Sequence, residues 1–226
     1  MVSIEDFVSP KLQLALDLLE LESALKVAFE AKDYVDILEA GTPLIKSVGI
    51  PSIRTLKKVF SDKIILADMK TLDVGYIEVS MAADAGADIV SISGLAPNDV
   101  VKEAVRGARE KGVLLMADLL GVKSQVERAI ELKGLGVNMV CAHTAIDQER
   151  SGASVRDNVE IVRNIAELTG LIVSAAGGIT LETAGLMIEA GAKIIVVGRA
   201  ITSSKDPKNA AAKFKKEILE HSHVKK

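Results

Sequence analysis

Eight short apolar runs punctuate this chain at intervals of roughly 25 residues, and that rhythm limits its possible folds more than any single motif does. The runs are Leu12–Leu16, Val35–Leu38, Ile64–Ala67, Asp88–Ile92, Val113–Ala117, Asn138–Ala142, Leu171–Ala175 and Lys193–Val197. Between them lie longer stretches of helical periodicity. Val100–Lys111 and Lys123–Leu135, for example, set charges on one side and Ala, Val, Leu or Ile on the other. Glycines punctuate the helix ends in Ala85-Gly86-Ala87-Asp88, Lys111-Gly112, Leu135-Gly136-Val137-Asn138 and Ala190-Gly191-Ala192-Lys193. Eight strands, each followed by a helix, predict an α/β protein of the (β/α)8 TIM-barrel class, which typically runs to about 250 residues. A doubly wound open sheet usually has fewer strands and a glycine-rich turn after the first. Here that turn reads Leu16-Asp17-Leu18-Leu19. No Pro/Gly/Ser-rich linker or composition shift interrupts residues 1–226, which read as one domain.

Composition agrees with buried parallel strands. Hydrophobic residues make up 49%, but aromatics only 3% and Trp none, so small and branched aliphatic side chains must fill the core. A net charge of −3 gives no reason to expect nucleic-acid binding. No apolar run approaches the roughly 20 residues that span a bilayer, and Met1–Pro10 lacks the apolar core of a signal peptide. The single cysteine, Cys141, excludes an internal disulfide and suits a reducing compartment. These features predict a soluble, cytoplasmic protein.

In a barrel of this class the chemistry lies at the carboxyl ends of the strands. Those ends carry Asp17, Glu39, Asp68 with Lys70, Asp118, His143, Gly177-Gly178 and Gly198-Arg199, and the strand starts are expected to carry no comparable set. A carboxylate after a strand is ordinarily a helix cap; the joint arrival of so many polar groups at one rim is what sets these apart. The most informative segment is Asp68-x-Lys70-x-x-Asp73. Residues two apart on a strand share a face, so Asp68 and Lys70 should project together where the strand stops, with Asp73 on the following turn. Charges packed so closely need one another, a metal or a charged substrate.

The turns Ala176-Gly177-Gly178-Ile179-Thr180 and Val197-Gly198-Arg199-Ala200 follow strands seven and eight, where barrels frequently bind phosphate. Glycine lets backbone N–H groups approach an anion, and Arg199 adds a charged fork. Glu39 and Asp68 end neighbouring strands and suit one hard cation such as Mg²⁺. Zinc is less favoured, because one plausible histidine and one cysteine do not make a closed ligand set. His221 and His223 fall in a basic tail and are expected to be solvent-exposed.

Together, Asp68-x-Lys70-x-x-Asp73, Gly177-Gly178 and Gly198-Arg199 resemble the orotidine 5′-monophosphate decarboxylase superfamily, over nearly the whole chain. Asp36-Ile37-Leu38-Glu39-Ala40-Gly41-Thr42-Pro43, Ala117-Asp118-Leu119-Leu120-Gly121-Val122 and Val140-Cys141-Ala142-His143-Thr144-Ala145-Ile146-Asp147 resemble its 3-hexulose-6-phosphate synthase branch. Orotidylate decarboxylases usually continue the first motif with Ile-Pro-Asn-Thr, where this chain has Val74-Gly75-Tyr76-Ile77. The 3-keto-L-gulonate 6-phosphate decarboxylases typically place an arginine where this chain has Ile146.

The resemblance implies an aldehyde-lyase that condenses formaldehyde with ribulose 5-phosphate, reversibly, with Mg²⁺ or Mn²⁺ on Glu39 and Asp68. In that reading Lys70 stabilises an enediolate, His143 is the base at C1, and Asp17 and Asp118 either bind substrate hydroxyls or support Lys70. It also implies a homodimer in which Asp73 completes the partner's site, and functional pairing with a 6-phospho-3-hexuloisomerase. A non-catalytic sugar-phosphate binder is the alternative of another class, and it would have no use for the Lys70 and His143 acid–base pair.

Overall fold

The computed structural model describes residues 2–144 and 155–222 and is a closed parallel barrel. The strands are β1 (Lys11–Leu16), β2 (Ile37–Ala40), β3 (Ile64–Thr71), β4 (Ile89–Ser93), β5 (Leu114–Asp118), β6 (Met139–His143), β7 (Ile172–Ala176) and β8 (Ile194–Val197). They pair in sequence order, and β8 returns to β1 through Lys11 opposite Ile194 and Leu14 opposite Val197. The helices around them are α1 (Leu21–Ala31), α2 (Thr42–Val48), α3 (Pro51–Val59), α4 (Gly75–Asp84) and α5 (Asn98–Lys111). They continue as α6 (Gln125–Leu135), α7 (Val155–Thr169), α8 (Leu181–Glu189), α9 (Arg199–Thr202) and α10 (Pro207–Ser222). The predicted (β/α)8 barrel is therefore present, with two helices rather than one after β2 and after β8. No helix among the described residues is long and apolar enough to cross a membrane.

Alternation along each strand divides the core in two. Leu12, Leu14, Leu38, Ile65, Val90 and Leu115 face outward and pack against the helices, where small residues such as Ala24, Ala28 and Ala104 allow close approach. The inward residues change character along the barrel axis: Ile37 then Glu39 on β2, Leu66 then Asp68 on β3, Met116 then Asp118 on β5, and Met139, Cys141 then His143 on β6. The apolar end is closed by Phe7, 2% exposed, from a 3-10 turn at Ile4–Phe7 that immediately precedes β1. The polar end is the open mouth.

Two expectations about the strands need correction. β3 does not stop before Asp68 but runs on to Thr71 through a register shift between Ala67 and Thr71. Lys70 takes up that shift in the left-handed region, at φ 46°, which is unusual for a residue with a Cβ. The strand starts, moreover, do carry a polar set. Asp36, Asp88 and Asn138 stand immediately before β2, β4 and β6. Each accepts a hydrogen bond from a backbone N–H of the preceding strand, at Leu12 (2.8 Å), Ile65 (2.8 Å) and Leu115 (2.9 Å). Each also returns its own N–H to the carbonyl of that same residue. Lys215 and Lys57 neutralise Asp36 and Asp88 at 2.6 Å and 2.7 Å. These clamps hold strand register at the end of the barrel remote from the mouth.

The C-terminal expectation also changes. His221 is not a free, exposed tail residue: α10 continues through it, and its ring lies 2.7 Å from Glu189 and 3.1 Å from Glu217. Gly185 on α8 makes room for that ring, since a Cβ there would come within 2.6 Å of it. His223 lies outside the described residues, as do Ala145, Ile146 and Asp147 of the segment after β6.

Candidate active site

The mouth is organised around Lys70. Its ammonium contacts Asp68 Oδ2 at 2.9 Å and also bridges to Asp118 on β5. The two carboxylates are almost completely buried, at 6% and 5% exposure. Burial works against the ammonium, but Asp68 and then Asp118 more than offset it and push the Lys70 pKa up, so the lysine stays charged. Burial likewise works against the Asp118 carboxylate. The bond and charge of His143, followed by those of Lys70, reverse this and hold Asp118 well below the usual carboxylate range.

Further hydrogen bonds fix this ion group. Thr42 Oγ1, at the start of α2, donates to Asp68 Oδ2 at 2.7 Å. Ser91 Oγ on β4 donates to Asp68 Oδ1 at 2.7 Å and accepts the Lys70 N–H at 3.0 Å, which pins the bulged backbone. The Leu120 N–H donates to Asp118 Oδ1 at 2.9 Å. His143 closes the group, with Nδ1 2.9 Å from Asp118 Oδ2. A proton on Nδ1 would be donated to Asp118 and would leave the other ring nitrogen facing away from that carboxylate.

Glu39 lies deeper, between Gln13 and the ion group. Gln13 Nε2 donates to its Oε2 at 2.5 Å. Burial, then the Asp68 and Asp17 charges, raise the Glu39 pKa well above the ordinary value; Lys70 and Gln13 only partly oppose them. Asp17, past β1, is a solvent-accessible residue whose carboxylate leans over the mouth. Desolvation there and the Asp68 charge raise its pKa, against Lys70 and His143. A Cβ on Gly41 would lie 2.1 Å from Asp17 Oδ1, so glycine is required for this placement.

Beside this group lie the turns after β7 and β8. Gly177 has φ 91° and Gly178 φ 56°. A Cβ on Gly177 would sit 2.1 Å from the Thr144 carbonyl oxygen. Arg199 opens α9 and is exposed at the same rim. Asp73 stands apart: it is exposed and caps its own turn by accepting the Val74 N–H at 2.7 Å, away from the Lys70 group.

Of the residues marked in the sequence, the structure thus joins Asp68, Lys70, Asp118 and His143 by direct bonds and sets Glu39 and Asp17 within their electrostatic reach. Gly177, Gly178, Gly198 and Arg199 lie on the adjoining rim. The sequence reading missed Gln13, Thr42 and Ser91. Counting in twos back from Asp17 and Ser93 would have found Gln13 and Ser91, since both are inward positions. Thr42 carries no such signal.

The molecule is thus a closed (β/α)8 barrel with a carboxylate–lysine–carboxylate–histidine group at its mouth and a glycine–arginine rim beside it. Residues 10–214 match the Orotidine 5'-phosphate decarboxylase / HUMPS family, and the chain belongs to it. The 3-hexulose-6-phosphate synthase of Mycobacterium gastri is 37% identical over 92% of this chain and 99% of its own length. The solved 3-hexulose-6-phosphate synthase of Salmonella typhimurium superposes with a TM-score of 0.88 at 33% identity, over 93% of this chain and 99% of that one. The solved 3-keto-L-gulonate-6-phosphate decarboxylase of Vibrio cholerae reaches 0.85 at 28% identity, over 95% and 99%.

Proposed function

We propose that this chain catalyses the reversible aldol condensation of formaldehyde with D-ribulose 5-phosphate, as a 3-hexulose-6-phosphate synthase of the aldehyde-lyase class. The observation that carries the reading is Lys70 held charged between Asp68 and Asp118, with His143 on the far side of Asp118. This puts a fixed cation and an imidazole at one mouth, the pair that proton removal next to a carbonyl demands. The phosphate docks at Gly177, Gly178, Gly198 and Arg199, which orients C1 toward the Lys70 group. His143 takes the C1 proton. Lys70 donates a hydrogen bond to the enediolate oxygen, and the fixed carboxylates around it limit reorganisation as charge develops. Formaldehyde has almost no surface to bind, so the held enediolate, rather than a formaldehyde pocket, must supply the positioning.

A hard divalent cation fits the donor set at Glu39 and Asp68. Glu39 is buried among carboxylates that raise its pKa, and a cation beside it removes that penalty. Glu39 and Asp68 would hold Mg²⁺ or Mn²⁺, which would supply Lewis acidity toward the substrate. Asp17 is assigned to a substrate hydroxyl and Asp118 to the support of Lys70. The unpaired thiol suits a reducing cytoplasm.

The active unit is proposed to be a homodimer. Asp73 caps a turn flanked by Leu72, Val74 and, on α4, Ile77, which are 55%, 48% and 62% exposed, an apolar surface beside a carboxylate that does not serve its own chain's Lys70 group. Asp73 there completes the partner's site. A 6-phospho-3-hexuloisomerase acting on the product is the expected functional partner.

The test is consumption of formaldehyde that requires ribulose 5-phosphate and a divalent cation. Turnover of 3-keto-L-gulonate 6-phosphate or orotidylate without it would move the chain to a sister activity. Binding of sugar phosphate with no turnover of any of these substrates would identify a non-catalytic binder.

A further inference from the structure

The mechanism above leaves one buried reactive group unused. Cys141 is 5% exposed on β6, directly opposite Asp118 on β5 in strand register, and His143 follows on the same face. An Asp118 carboxylate oxygen, Cys141 Sγ and a His143 ring nitrogen all lie within 4.8 Å of one another. Tetrahedral zinc wants such donors roughly 3.5 Å apart, with bonds of about 2.0–2.3 Å. Modest side-chain adjustment closes the difference, and a fourth position remains toward the mouth, where the His143 side chain is 20% exposed.

The chemistry of this set differs from that of Glu39 and Asp68. Sulfur and imidazole select soft or borderline ions, whereas carboxylates alone suit hard ones. Without an ion, burial and then the Asp118 charge push the Cys141 thiol pKa well up, so the sulfur is no nucleophile. A coordinated thiol is deprotonated outright. Binding therefore releases the Cys141 proton and leaves a thiolate, a carboxylate and a neutral imidazole. The two negative charges match a divalent ion, and Lys70, displaced from Asp118, retains Asp68.

We propose that Asp118, Cys141 and His143 form a second metal site, for a thiophilic divalent cation of the Zn²⁺ class, whose occupation switches the enzyme off. Binding follows from the donor geometry alone. The inhibition rests on the proposed function, because an ion there removes both His143 as base and Asp118 as the partner of Lys70.

The probe is Co²⁺, titrated into the full-length protein with excess Mg²⁺ present to keep the hard site filled. The wild type should develop a near-ultraviolet thiolate-to-cobalt charge-transfer band that saturates at one equivalent. Because Cys141 is the single cysteine, the band reports on this sulfur alone. His143→Gln should weaken the apparent Co²⁺ affinity by about tenfold or more. In turnover assays Cys141→Ser and Cys141→Ala should keep Mg²⁺-dependent activity and lose sensitivity to Zn²⁺. Absence of the band in the wild type would overturn the site, whatever reaction the enzyme performs. Undiminished Zn²⁺ inhibition of both Cys141 variants would overturn the switch.

Discussion

Replacing Lys70 with methionine keeps an unbranched side chain, one atom shorter, and removes its charge, which leaves Asp68 and Asp118 facing each other while nearly buried. Removing one partner of a fully buried pair costs about 3–5 kcal/mol. Here the Lys70 side chain is 25% exposed, and Asp68 and Asp118 keep other donors from Thr42, Ser91, Leu120 and His143. A loss of about 2–3 kcal/mol at pH 7 is therefore expected, roughly 4–12 °C in Tm for a chain of this size. The pH dependence has a definite sign. A carboxylate whose folded pKa is depressed, as Asp118's is, stabilises the fold above its unfolded pKa and loses that contribution as pH falls through the folded value. Without Lys70 the depression shrinks, so Asp118 in the variant takes up its proton at a higher pH than in the wild type. The stability gap between wild type and Lys70→Met should hold from pH 7 down to about pH 4, the ordinary carboxylate range, and narrow only below it. Urea unfolding across that range and below it, in the presence of chelator, measures it. A variant as stable as the wild type at pH 7, or a gap that widens on acidification, would refute the argument that Lys70 is held by this pair of buried acids.

Glu39→Gln should act in the opposite sense. A raised carboxylate pKa destabilises the fold above the unfolded pKa, so in chelator at pH 7 the variant should be more stable by about 0.5–2 kcal/mol while losing most turnover. Thermal denaturation with and without Mg²⁺ checks this, and stabilisation by Mg²⁺ should be confined to the wild type. Gly177→Ala forces a Cβ against the Thr144 carbonyl at a positive φ and should lower Tm and raise KM for the phosphorylated substrate. A normal KM would remove this turn from the phosphate site. Asp36→Ala breaks a register clamp far from the mouth. It should cost about 1–3 kcal/mol in unfolding with kcat unchanged, and a large fall in kcat would show that the two ends of the barrel are coupled.

Much of the site was legible because strand alternation is a local property. Asp68 and Lys70 share a face by parity alone, and they do meet, although β3 continues through a bulge that parity does not foresee. The left-handed backbone at Lys70 is imposed by Thr71 pairing with Ile92 on β4, a contact over 20 residues away in sequence. Asp118 was recognised as a strand-end acid with an open role. Its bond to Lys70 spans 48 residues and exists only because the barrel closes, so that β3 and β5 lean toward one mouth. The clamp residues Asp36, Asp88 and Asn138 were overlooked because the sequence reading took them into the runs Val35–Leu38, Asp88–Ile92 and Asn138–Ala142, one or two residues ahead of where the strands begin. Only the staggered register shows that each has a backbone N–H to accept from.

What the chain determined locally was the alternation of strands and helices, the inward phase of each strand and the kinds of side chain delivered to the rim. Each of these depends on neighbours within a few residues. The protonation states depended on the tertiary structure. Glu39, Asp68 and Asp118 are the same chemistry in sequence, yet Glu39 is pushed toward its neutral form by burial among acids, whereas Asp118 is held ionised by His143 and Lys70. That difference comes from distances across the closed barrel in a poorly solvated space, where a few ångströms decide which charge is compensated. Spacing along the chain does not encode those distances.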